Sequence, residues 1–183
     1  MLWTTFAVAL ALGYLRQVAS PNMIGSAAIV MATAVVVGGL IGWPVGRIGD
    51  AMYWAVVIAA AAFLSVAGDP AAPASFRYAW STVGIMAGAA CGAVAPRQLW
   101  RRIFFGAVAG GVGMAACSMA MPVHDLEWAF DLICAPIVGG LVALLIELIL
   151  WLERERYSPR YITASWLLCA VIVGNLLVPL VLG

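Results

Sequence analysis

The sequence predicts an all-α, polytopic transmembrane helix bundle of about seven spans. Three observations carry that expectation. The 183 residues are 66% hydrophobic and only 9% charged, whereas a soluble domain averages about 45–50% apolar and about 25% charged. The apolar residues are gathered into long runs joined by short polar links, which is the pattern of spans about 20 residues long. The links leave no room for a separate soluble domain, since the longest runs only from Gly68 to Arg77. Residues 1–183 are therefore read as a single transmembrane helical domain.

The first run, residues 2–19, is short for a span. Its apolar core ends at Leu15, and Arg16 must snorkel to the interface for it to cross. An interfacial helix is the alternative. It lacks a positive leading segment, so a secretory signal peptide is not expected. Ser20-Pro21-Asn22 breaks the chain before the second run, residues 23–45. That run carries Gly38, Gly42 and, at its edge, Gly46, spaced every fourth residue. On a helix this spacing puts them on one face, where another backbone can approach closely.

The third run, residues 51–67, is largely alanine, valine and isoleucine. The fourth, residues 78–95, repeats the glycine spacing with Gly84, Gly88 and Gly92. The fifth, residues 103–121, has Gly106 and Gly110. The sixth, residues 128–152, is the longest and carries Asp131, Pro136, the Gly139-Gly140 pair and Glu147. The seventh, residues 162–182, carries Asn175 and Pro179. Gly38–Gly42–Gly46 and Gly84–Gly88–Gly92 are offset by a constant 46 residues, a hint of repeated hairpins that ordinary membrane packing also produces. The two glycine faces are expected to pack against the sixth run.

Arginine placement orients the bundle. Arg47, Arg97, Arg101, Arg102, Arg154, Arg156 and Arg160 lie in even-numbered links, against Arg16 and Arg77 in odd ones. The positive-inside rule then puts the even links in the cytoplasm, the N-terminus inside and the C-terminus outside. The expected location is a cell membrane, specifically a bacterial inner membrane, crossed many times. All eight tryptophans fall near run ends, as in an aromatic belt.

Several chemistries are excluded. All nine basic residues are arginine, so there is no lysine for a retinal Schiff base or a Walker phosphate loop. One histidine, His124, cannot supply paired haem ligands, and neither GxSxG nor HExxH occurs. Cys91, Cys117, Cys134 and Cys169 lie inside apolar runs and form no CxxC. No enzyme, catalytic residue, cofactor or metal centre is expected. His124, Asp125 and Glu127 fall short of a closed cation site and read as a solvated acidic loop.

Asp131 and Glu147 are 16 positions apart, about 24 Å along a helix and on roughly opposite faces, so they cannot act as one carboxylate pair. An ionisable group inside a span is by default a functional candidate. Glu147 is accordingly the first candidate for binding substrate or a proton, and pairing with an arginine from another link is its bland reading. Pro136 with Gly139 and Gly140 forms a weak point in the helix, of the sort that makes substrate sites in transporters; simple packing is again the alternative. Asn175 is a further candidate or an interhelical hydrogen-bond partner.

The functional expectation is a small transporter or channel for a small solute or ion. The alternative is a non-catalytic accessory subunit of a larger membrane complex. The expected partners are the lipid bilayer and either further copies of the chain or the subunits of such a complex, with no nucleic acid.

Overall fold

The structure is a computed structural model that describes residues 21–67, 74–95, 98–120, 127–155, 158–160 and 163. The described residues form five helices: α1 (Pro21–Gly42), α2 (Ile48–Ala67), α3 (Ala74–Ala93), α4 (Leu99–Ala120) and α5 (Glu127–Arg154). They correspond to the second to sixth apolar runs. The first run and, apart from Thr163, the seventh, together with His124, Asp125 and Asn175, lie outside the described residues. Each helix begins before its apolar run, so that Asp50, Arg101, Arg102 and Glu127 fall within helices.

A count of about seven spans is not supported. Among the described residues three helical segments are long and apolar enough to cross a membrane: Gly25–Gly42, Leu99–Met119 and Ala129–Arg154. The apolar part of α2, Ile48–Phe63, is shorter. α3 is diluted by Arg77, Ser81, Thr82 and its glycines. The burial pattern supplies the physical reason. α3 packs against all four other described helices, and Val83, Ile85, Ala87, Ala89 and Cys91 on it are buried. A helix wrapped by other helices has little need of the long aliphatic side chains that face lipid.

Glycine sets the close contacts. A Cβ on Gly88 would lie 2.5 Å from the Trp54 carbonyl oxygen, and one on Gly92 would lie 2.5 Å from that of Asp50. Gly84 meets Ile58 and Ala62. This register makes α2 and α3 antiparallel, with backbone on backbone. Gly38 and Gly42 do the same for α1, meeting Met52 and Ile48 of α2. Both glycine faces therefore close on α2, not on α5 as the sequence suggested. A second pair of faces closes α4 on α5: Gly106 meets Gly139, and Gly110 meets the Ala135 carbonyl. Gly46 is a different case. It lies in the α1–α2 turn with φ +68° and open space around its Cβ position, so glycine is used there for its left-handed conformation, not for packing.

The core follows the same division. Ala27, Val30, Ala34, Ala55, Ala59, Phe63, Ile85 and Ala89 join α1, α2 and α3. Trp54, Ile58 and Cys91 meet Ala143, Ile146 and Ile149 of α5. Trp54 is thus core and not belt, whereas Trp43 and Trp100 are 76% and 80% exposed beside the turns.

Candidate functional site

The helix register gathers the ends of α1, α3 and α5 and the starts of α2 and α4 at one end of the bundle. Arg47, Arg101, Arg102 and Arg154 all lie at that end. α3 ends there, and the last carbonyls of any helix lack intrahelical partners. Arg102 of α4 takes up two of these oxygens: its Nε donates to the Cys91 carbonyl at 3.1 Å and its Nη2 to the Val94 carbonyl at 3.3 Å. Nη1 donates to Glu147 Oε1 at 2.5 Å. One planar guanidinium thus joins α3, α4 and α5. A cation at a helix C-terminus also faces the negative end of the helix dipole.

Arg102 is 2% exposed and the Glu147 side chain 15%. A buried charge must be both paired and hydrogen-bonded to persist, and Arg102 meets both conditions. Arg154 adds a looser contact, its Nη2 lying 3.5 Å from Glu147 Oε2. The Cys91 thiol lies 3.6 Å from the Arg102 carbonyl, to which it donates. Arg47, from the α1–α2 turn, donates through Nη1 to the Val94 carbonyl at 2.7 Å and is held by Asp50 through Nε at 3.0 Å and through Nη2.

Glu147 is therefore a clamped carboxylate: the arginine from another link is its partner. Of the other candidate positions, Gly139 lies against the Gly106 backbone. Gly140 has Ile103 beside it. α5 runs unbroken through Pro136, and the proline ring is accommodated where α4 has Gly111. Asp131 is half-buried and lies far along α5 from Glu147. Tyr53 Oη and Trp80 Nε1 are buried and have no hydrogen-bond partner among the described residues. At the opposite end, Tyr78 Oη donates to Ser26 Oγ at 2.8 Å and ties the start of α3 to α1.

In the sequence Arg102 counts only toward the arginine asymmetry between links. A signal was present: Arg102, Gly106 and Gly110 share the four-residue spacing, which puts the arginine on the face that packs. Neither a protein-family model, nor a curated protein, nor a solved structure matches this chain.

Proposed function

We propose that the chain moves a small solute or ion across a membrane, with the Arg102–Glu147 clasp closing its inner end. One observation carries this reading. A buried ion pair between α4 and α5 also grips the end of α3. Apolar side chains of similar volume hold helices together at least as well as a buried pair. An ionic contact differs in that a proton, an ion or an anionic group can undo it. Glu147 is the group that would accept the proton or cation, and its release of Arg102 would loosen the guanidinium that holds the end of α3. The finer topology belongs to the same reading: a multi-pass protein of a bacterial inner membrane, N-terminus inside and C-terminus outside. So does assembly with further copies of the chain.

A second reading, an accessory subunit of a membrane complex, has its own support. α4 and α5 leave Phe104, Val108, Val112, Phe130, Ile133 and Ile137 exposed, a large apolar surface that lipid or another subunit would cover.

Reconstitution separates the two. Transport predicts that the purified chain alone, in liposomes, carries protons (read by an internal pH dye) or small solutes (read by swelling), and that Glu147→Gln abolishes the flux. Recovery only in company with other subunits, with Glu147→Gln silent, supports the accessory role.

A further inference from the structure

The Val94 carbonyl oxygen accepts from two arginines, Arg47 at 2.7 Å and Arg102 at 3.3 Å. Two like charges meeting at one oxygen repel, and the repulsion is strong where water is scarce. Each cation has its own carboxylate: Asp50 for Arg47 and Glu147 for Arg102. The two carboxylates come from different helices, and it is their arginines that meet at this oxygen.

We propose that Asp50 is a positioning residue for the inner clasp, acting through Arg47 and the shared Val94 carbonyl. Its carboxylate holds two of the Arg47 nitrogens, Nε and Nη2, and leaves only Nη1 for Val94. Without that anion the Arg47 guanidinium stands uncompensated beside Arg102. It then competes for Val94, and Arg102 loses part of its grip on the end of α3. The Asp50 side chain is 52% exposed and that of Arg47 25%, against 2% for Arg102. The α1–α2 turn is thus the solvent-reachable handle of a buried contact, and it regulates the clasp assigned above to inner closure. This inference rests on that assignment for its consequence, though not for its test.

The test is charge balance, read as thermal unfolding in detergent and independent of any flux. Asp50→Asn lowers the Tm. Adding Arg47→Gln restores most of that loss, because it removes the stranded cation, and Asp50→Glu stays near the parent. The Asp50→Asn/Glu147→Gln double variant loses less than the two single losses together. Asp50 also lies in the first turn of α2, where an acid favours the helix dipole. A loss from that source alone is not rescued by removing Arg47. Failure of the rescue, together with additive losses, overturns the proposal. Should Asp50→Asn not be recoverable, recovery of the Arg47→Gln/Asp50→Asn protein supports it, and recovery of Arg47→Gln alone with loss of the double variant overturns it. If the rescue holds while Glu147→Gln leaves flux untouched, the coupling stands and the transport assignment falls.

Discussion

Arg102 and Glu147 face each other across the α4–α5 seam, Nη1 to Oε1 at 2.5 Å, with the guanidinium almost fully buried. The two residues have unequal stakes in the contact. Glu147 keeps some exposure and a second arginine, Arg154. Arg102 has no comparable exposure to fall back on. Glu147→Gln is therefore expected to destabilise by about 3–5 kcal/mol, the usual cost of stranding one member of a buried pair. Replacing both with apolar residues, as in Arg102→Met/Glu147→Leu, is expected to recover part of the loss, since no buried charge then remains. Reversible unfolding in mixed micelles reads both. Equal losses in the single and double variants would mean that the charge itself is not what the bundle holds.

Lysine at position 102 isolates the role of shape. The guanidinium reaches Cys91 O, Val94 O and Glu147 from three nitrogens in one plane. An ammonium is a point donor on a flexible stem and cannot satisfy three acceptors spread across two helices. Arg102→Lys keeps the charge but gives up the capping of α3, at about 1.5–3 kcal/mol for each lost bond to a charged donor. It is expected to unfold between the parent and Arg102→Met. A melting temperature equal to that of the parent would show that the carbonyl contacts contribute little.

The helices were legible because their signal is local: apolar runs, prolines and glycines in the links, and glycine spacing of four. Which helix a glycine face meets is not local. Gly84, Gly88 and Gly92 announce a close approach, but their partner, the Asp50–Ala62 stretch of α2, is an alanine- and valine-rich surface without a mark of its own. The site divides in the same way. Glu147 stands out as a charge in an apolar run. Arg102 sits at the edge of a run among other arginines, and only its register with Gly106 and Gly110 separates it from Arg101, which is exposed. No local pattern records that the end of α3 lies within its reach.

Glycine substitutions grade the α2–α3 seam. An alanine methyl at Gly88 would press on the Trp54 carbonyl, and one at Gly92 on the Asp50 carbonyl, both backbone groups that cannot swing aside. Gly88→Ala and Gly92→Ala are each expected to destabilise by about 1–3 kcal/mol, as overpacking does. Gly25 and Gly49 are helical with nothing near their Cβ positions, so alanine there is neutral or stabilising by up to about 1 kcal/mol. Gly46→Ala should lose about 1–2 kcal/mol for the opposite reason: the space is free but the left-handed φ is not. Thermal unfolding of the five variants side by side checks the order, and a Gly88→Ala protein as stable as Gly25→Ala would contradict the backbone contact.

The clasp can close the inner side only if it lies there, and a labelling experiment decides that directly. Trp100 and Glu155 are exposed near the clasp, at the start of α4 and just past α5. Phe76 is exposed at the start of α3, the opposite end. In a background with Cys91, Cys117, Cys134 and Cys169 replaced by serine, single cysteines are introduced at positions 76, 100 and 155. With intact cells, a membrane-impermeant maleimide is expected to modify the position-76 variant alone. Positions 100 and 155 should react only after the membrane is opened. The expectation follows from the arginines, because cationic links are retained on the cytoplasmic side during insertion. The reverse pattern would put Arg102 and Glu147 at the outer face, where the clasp could close the protein only against the outside. Any coupling to protons or ions would then have to begin there.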